Sequence, residues 1–237
     1  MPILSYAGAR IRVLRATENP EFCASYLSQQ KKAFGDFGCE SLVPANPPWV
    51  SDLNTFLLLA SDPGMEALVG GIRLHLRAPL NQIPVEAIFD ELEPSVSRKI
   101  KTLSQSGSIA EPSGLWVDRR FRGARMGEIL LAVGVALSIG LNASIGVCFA
   151  SPHMAPIVEA LGFRIDESVG QRGQFEYPDP RYLSQLMWNK PLSTRSISRE
   201  RAGVVNQLLE VFFSFKDPGK IEVSLGDFSM AEMVASS

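Results

Sequence analysis

Residues 115–141 constrain this chain more than any other stretch. An apolar, strand-like run, Leu115-Trp116-Val117, feeds a basic turn that carries glycine. The turn opens into a long apolar helix predicted from Glu128 to about Leu141. A strand, a tight turn rich in backbone N–H groups and a helix N-terminus in succession make an anion site. Arg119, Arg120, Arg122 and Arg125 crowd the same turn. The expected guest is a phosphate-bearing molecule.

Composition narrows the choice of guest. The chain has 237 residues, 46% of them hydrophobic, enough for one substantial core or a core with an appendage. Its net charge is −2, so the arginine turn is a local feature and nucleic acid is not an expected partner. Cys23, Cys39 and Cys148 are odd in number and lack metal-like spacing. They read as reduced cytosolic thiols, with no metal expected. Met1-Pro2-Ile3-Leu4 lacks a basic segment with a long apolar run behind it, so no signal peptide is expected. No uninterrupted apolar run approaches the roughly 18 residues of a membrane span. The expected location is the cytoplasm.

Periodicity gives a mixed α/β order. Ile11 to Arg15 alternates as a strand. Pro20 to Phe34 reads as a helix with Asn19 at its N-cap. Thr55 to Ala60 and Ala67 to Leu76 form a predicted hairpin about Asp62-Pro63-Gly64. Pro84 to Gln105 is helical with a break at Pro94, and Ile109 to Val117 is a strand. Ile145 to Ala150 is so apolar that a central strand is expected. Pro152 to Leu161 reads as a short helix closed by Gly162. Phe163 to Val169 and Gln174 to Tyr177 are late strands, Ile197 to Lys216 is an amphipathic helix, and Lys220 to Leu225 is a last strand. Leu192 to Ser196 looks like a linker, which divides the chain into residues 1–190 and a C-terminal extension, 191–237.

The turn and this order resemble the GNAT N-acyltransferase superfamily, whose pattern is (Gln/Arg)-x-x-Gly-x-(Gly/Ala) between the fourth strand and the next helix. Arg122-Gly123-Ala124-Arg125-Met126-Gly127 fits at Arg122 and Gly127 and departs at Arg125. Leu161-Gly162-Phe163 is similar to the family's downstream leucine-glycine-phenylalanine signature. The likeness spans about Leu53 to Val169. It implies a central mixed, twisted sheet flanked by helices. It also implies a donor thioester, either acetyl-CoA or another acyl-CoA, or the phosphopantetheine of an acyl carrier protein. The residues implied in holding it are Leu115, Trp116, Val117, Arg122, Gly123, Ala124, Arg125, Met126, Gly127 and Ser151. Arg125 in place of glycine poses a definite question: if the backbone there needs a positive φ, arginine carries about 1 kcal/mol or more of strain. If not, it adds a charge beside the phosphates.

The resemblance also implies an acceptor amine and a base. Glu111, six residues before Val117, falls where related enzymes carry a catalytic glutamate. Partial burial on an apolar strand would raise its pKa toward working pH. Pro112 beside it favours an edge or a bulge. The tyrosine that often protonates the leaving thiolate is matched by Val158, and the usual asparagine by Ser151. Tyr177, Tyr182 and His153 are the other candidate acids.

Within the superfamily the layout is similar to acyl-homoserine lactone synthases and N-acyl amino acid synthases. Lys32-Ala33-Phe34, Asp52-Leu53-Asn54, Gly70-Gly71-Ile72-Arg73-Leu74 and the insert from Pro84 to Gln105 follow it, with Ser113-Gly114 departing from it. That leaning suggests an acyl group larger than acetyl and a carrier protein drawn to the basic turn.

Three weaker features complete the reading. His75, facing away from Leu74 and Leu76, reads as structural, and Cys148 as core. Phe212-Phe213-Ser214-Phe215 packs on the domain or on a second subunit, which makes a homodimer an expectation. Gly134 and Gly140 suggest close helix–sheet packing. Two other readings compete. One is a non-catalytic GNAT-like sensor. The other is a dinucleotide site, which lacks both Gly-x-Gly-x-x-Gly and the acidic residue about 20 positions on.

Overall fold

The computed structural model describes residues 9–62, 67–123, 125–214 and 220–224. Met1 to Leu4, Pro63, Gly64, Ala124 and Phe215, on which expectations above fall, lie outside the described residues, as does the side chain of Phe213.

Nine strands are found among the described residues: β1 (Arg10–Arg15), β2 (Thr55–Asp62), β3 (Ala67–Leu76), β4 (Ile109–Val117), β5 (Ile145–Ala150), β6 (Arg164–Ile165), β7 (Gln174–Glu176), β8 (Leu183–Asn189) and β9 (Lys220–Ser224). Six α-helices join them: α1 (Pro20–Gly35), α2 (Pro84–Leu92), α3 (Pro94–Leu103), α4 (Met126–Gly140), α5 (Ala155–Ala160) and α6 (Arg199–Ser214). Pro20, Pro84 and Pro94 each occupy a first helical turn, where a missing N–H costs nothing. The strands form one mixed sheet in the order β6-β8-β5-β4-β3-β2-β1-β9, with β7 also on β8. β4 and β5 are parallel, and the other pairs are antiparallel.

Alternation along the strands sends side chains to two faces. On one face, Ile72, Leu74 and Ala110 pack with α4, which is apolar on nearly all sides because α6 covers its outer surface through Val204, Val205, Leu208, Leu209 and Phe212. These apolar positions of α6 are therefore covered within this chain. The other face carries two separate apolar clusters. One joins α1 to Leu57, Leu59, Trp49 and Trp116. The other joins α2 and α3 to Ile109, Ile145, Val147 and Leu186. Among the described residues no helix is long and apolar enough to cross a membrane.

Several expectations change. α4 begins at Met126, two residues before the predicted start, so Gly127 belongs to its first turn. The predicted strand from Phe163 to Val169 contracts to Arg164–Ile165, and the helix from Pro152 contracts to Ala155–Ala160. β8, an interior strand, has no counterpart in the sequence reading. Its apolar pattern is broken by Asn189, which is 1% exposed yet satisfied: its Nδ2 donates to Leu161 O at 3.1 Å and its Oδ1 accepts from Ser196 Oγ at 2.9 Å. The predicted linker is anchored at both ends, with Leu192 and Ile197 buried in the main core. Asn19 stands at the N-cap of α1, but its side chain makes no cap bond; its Nδ2 donates to Arg15 O instead. A Cβ added at Gly134 or Gly140 would meet only ordinary contacts, at 3.6 Å and 3.8 Å, so close packing does not demand glycine at either.

Candidate active site

The sheet forks at its centre. β4 and β5 pair with each other only at Ile109↔Ile145 and Ala110↔Gly146, then part, each still held by its outer neighbour, to Val117 and Ala150. The cause is Pro112. Ile109 O accepts from Arg77 N, one residue beyond the Leu76↔Ala110 pair, so odd-numbered β4 residues direct their backbone groups toward β3. The nitrogen of Pro112 therefore faces β5, and it has no hydrogen to give. Just beyond, Arg73 pairs with Ser113 and Gly71 with Trp116, so Gly114 and Leu115 oppose Ile72 alone. This is a β-bulge, and it withdraws backbone from the ladder at the open arm of the fork. Gly114 has φ +67°, and an added Cβ would lie 2.6 Å from Arg73 Nη2. Its carbonyl accepts from the Tyr26 hydroxyl and from Gln30 Nε2, which pin the bulge to α1.

The basic turn closes the far end of β4. Asp118 Oδ1 accepts from Arg120 N at 2.9 Å and opens a 3₁₀ turn over Arg119–Phe121. Arg122 is committed to α1: it reaches Val117 O, Ala33 O and Asp36 Oδ2, and stacks over Phe37 at 4.7 Å. Arg125 adopts φ 63°, ψ 7°, the left-handed region that favours glycine, which answers the question its sequence position raised. The strain, about 1 kcal/mol, is offset by a fork of hydrogen bonds to Glu128, from Nε at 2.7 Å and Nη2 at 3.1 Å. Arg201 of α6 also pairs with Glu128. The first helical bond of α4 is Ile129 N to Arg125 O, and no side chain caps this end. Among the described residues nothing accepts from the N–H groups of Met126, Gly127 and Glu128. Three amides and a helix dipole thus point out at the mouth of the fork. Ser151, exposed, stands at the end of the other arm.

Between the two apolar clusters runs a polar strip, set by cross-strand register. Thr55, His75 and Glu111 form one row, and Leu57, Arg73 and Ser113 the next. Glu111 is the first residue past the fork and is 2% exposed. Its Oε2 accepts from Val85 N at 2.9 Å, in the first turn of α2. Burial pushes its pKa up to about 8, against the pull of the Val85 amide and Arg73, with Glu86 adding to the rise. Arg73 stacks over Trp49 at 4.7 Å and Tyr26 at 5.6 Å. Its Nε is buried without a hydrogen-bond partner, as are the indole N–H groups of Trp49 and Trp116 and the hydroxyl of Ser113. No carboxylate pairs with Arg73 among the described residues. His75 bonds Thr55 Oγ1 through Nδ1 at 3.0 Å, while its Nε2 is buried and unpartnered.

The other candidates separate. Tyr177 packs on Phe149 of β5 at 5.3 Å between centroids. Burial raises its pKa, with the charges of Glu111 and Glu91 adding to the rise. The Tyr182 hydroxyl donates to Phe37 O, His153 is exposed, and Val158 is 3% exposed in the core behind α4. Cys148 is buried on that same face. Sequence reasoning did not single out Tyr26, Trp49 or Arg73 as site residues. The available signal was Arg73 itself, a cation between Ile72 and Leu74 that shares the parity of His75.

No family model matches the chain, and no curated protein does. Solved structures do. The N-acyl amino acid synthase FeeM from uncultured soil microbes superposes with a TM-score of 0.60 at 13% identity, over 81% of this chain and 95% of that one. The CoA-dependent acyl-homoserine lactone synthase BjaI gives 0.53 at 15% identity, over 86% and 90%. Escherichia coli ElaA gives 0.50 at 14% identity, over 76% and 98%. The chain has the fold of these proteins, the mixed sheet with flanking helices expected from the sequence.

Proposed function

We propose that this chain, built on the fold it shares with N-acyl amino acid and acyl-homoserine lactone synthases, is an N-acyltransferase that moves an acyl group from a pantetheine thioester to an amine. One observation carries the reading: the fork between β4 and β5 has at its mouth helix-terminal amides that no acceptor among the described residues takes up, and Glu111 at its root. From Val117 back to Glu111 is six residues of strand, about 20 Å. An extended pantetheine arm matches that span, with its phosphate on the amides of residues 122–127 and its length along Leu115, Trp116, Val117 and Ser151.

The reaction follows from the residues around the root. The amine nitrogen attacks the thioester carbon, a C–N bond forms, and the C–S electron pair leaves with the thiolate. The freed backbone of the Gly114–Leu115 bulge polarises the carbonyl. Glu111, once ionised, takes the amine proton. Tyr177 offers a hydroxyl where α5 supplies only Val158. Arg73, a guanidinium without a carboxylate partner among the described residues, suits an acceptor that carries a carboxylate, as an amino acid does. The ring cluster Phe89, Phe149, Phe175 suits an acyl chain longer than acetyl. Free acyl-CoA and a carrier-borne arm fit the same mouth, and Arg119 and Arg120 would face an acidic carrier.

Two measurements test this. Acetyl-CoA or long-chain acyl-CoA should raise the melting temperature by several degrees at a hundredfold excess over Kd, which corresponds to about 2.7 kcal/mol. NAD and ATP should not. Stabilisation by NAD without any response to CoA thioesters would exclude the reading, and binding without transfer would leave a sensor. Arg73→Gln should raise KM for amino-acid acceptors about tenfold or more, and leave KM for the corresponding decarboxylated amines nearly unchanged. Equal effects on both would remove the carboxylate from recognition.

A further inference from the structure

The row Thr55–His75–Glu111 holds a second feature that the acyl-transfer reading does not use. The Thr55 hydroxyl donates to Asp52 Oδ2 at 3.4 Å, and Asp52 is fixed in turn by Asn54 N and Asn81 Nδ2, both at 2.9 Å. With its hydrogen directed to Asp52, Thr55 Oγ1 is left to accept from His75 Nδ1 at 3.0 Å. The hydrogen-bond network thereby assigns the tautomer: Nδ1 carries the proton and Nε2 the lone pair. His75 is 2% exposed, and that Nε2 has no partner among the described residues. Its cross-strand neighbour on β4 is Glu111, within the roughly 5 Å between Cβ atoms that direct pairs share. A buried ring nitrogen with a free lone pair, beside the residue at the root of the fork, is unexpected in a purely structural histidine.

We propose that His75 is a second catalytic base of this site, its Nε2 taking the proton of the attacking amine while Thr55 and Asp52 hold the ring in the required tautomer. This rests on the acyl-transfer reading. Proton and electron balance is complete within the site. The amine proton passes to Nε2 as the C–N bond forms. The C–S pair departs on the thiolate, and the imidazolium returns the proton to that sulfur. The return step supplies the acid that Val158 cannot.

The two bases divide the pH range. Groups facing the ring are Asp52 through Thr55, Arg73 on its own strand and Glu111 on β4, with Glu86 of α2 acting on Glu111. Burial first, and then the charge of Arg73, hold the imidazole pKa well below its ordinary value, so the lone pair persists through neutral pH. Glu111 ionises only near pH 8. His75 therefore serves below that pH, and Glu111 above it.

The test is the pH profile of kcat/KM for wild type, His75→Asn, Thr55→Val and Glu111→Gln, with one acyl-CoA and one amine, each variant first checked for its melting temperature and CoA-thioester binding. His75→Asn should lose about tenfold or more below the Glu111 ionisation and stay within a few fold of wild type above it. Thr55→Val should show the same one-sided loss in weaker form, and it decides the matter if His75→Asn fails to fold. Glu111→Gln should keep the lower limb. Profiles of His75→Asn or Thr55→Val that run parallel to wild type at every pH would overturn the role of His75 alone. A wild type that binds acyl-CoA but transfers to no amine would overturn the acyl-transfer reading, and this role with it.

Discussion

Glu111→Gln should fold normally, bind CoA thioesters as wild type does, and lose the alkaline rise in rate. Glutamine keeps the volume of the side chain and an oxygen for the Val85 amide, so the contact at the start of α2 survives. It lacks the ionisation near pH 8. Above that pH, where the carboxylate is the base, kcat/KM should fall about tenfold, to the level that His75 alone sustains. Because Glu111 stands at the root of the fork, far along β4 from the amides that would hold the phosphates, the dissociation constant of the donor should barely move. A variant with wild-type turnover at alkaline pH would remove Glu111 from the chemistry.

The same substitution makes a stability prediction with a definite sign. The folded pKa of Glu111 lies above its ordinary value of 4.5, so the native state binds the extra proton between that pH and about 8. Its contribution is fully present below 4.5 and is lost as pH rises through about 8. Wild type should therefore weaken across this window relative to Glu111→Gln, by an amount on the order of a few kcal/mol. Denaturant midpoints measured at both ends of the window give the difference directly.

The strand–turn–helix unit was legible in the sequence because its apolar runs are long and its turn is marked by glycine. Glu111 and Pro112 were legible as a pair in conflict, a buried acid next to a ladder-breaking proline. The structure turns that conflict into a cause, since the proline opens the space the acid overlooks. What stayed hidden depends on partners far apart in the chain. β8 could not be recognised because Asn189 looks polar until Leu161 and Ser196 satisfy it. The bond from His75 to Thr55, and through it the link to Asp52, joins residues about 20 positions apart that no local pattern connects. Nothing local in the sequence reveals that Asp36 holds the side chain of Arg122.

Arg125 read as the irregular member of the turn, and the structure makes it one end of an ionic chain that leads to the second large prediction. Glu128→Ala should destabilise the protein by about 3 kcal/mol. Glu128 is 6% exposed and receives two arginines, Arg125 from the turn and Arg201 from α6. Its place in the first turn of α4 also suits the helix dipole. Removing it leaves Arg201, 9% exposed, as a buried cation facing only the half-exposed Glu200, at 3.3 Å from Nη1. Breaking a buried pair by deleting one partner typically costs 3–5 kcal/mol because the other charge stays desolvated. For a chain of this size that is roughly 6–12 °C in Tm. The cost should reach the mouth of the fork as well. Arg125 holds a left-handed backbone only while Glu128 clamps its guanidinium, so without the clamp the turn relaxes and its amides lose their common aim. Affinity for acyl-CoA should fall with Tm in Glu128→Ala, and Glu128→Gln, which keeps an acceptor, should lie between the two. Calorimetric melting and CoA titration of the three proteins decide it. An unchanged Tm in Glu128→Ala would show that α6 is held by its apolar face alone, and an unchanged affinity would show that the turn keeps its shape without the clamp.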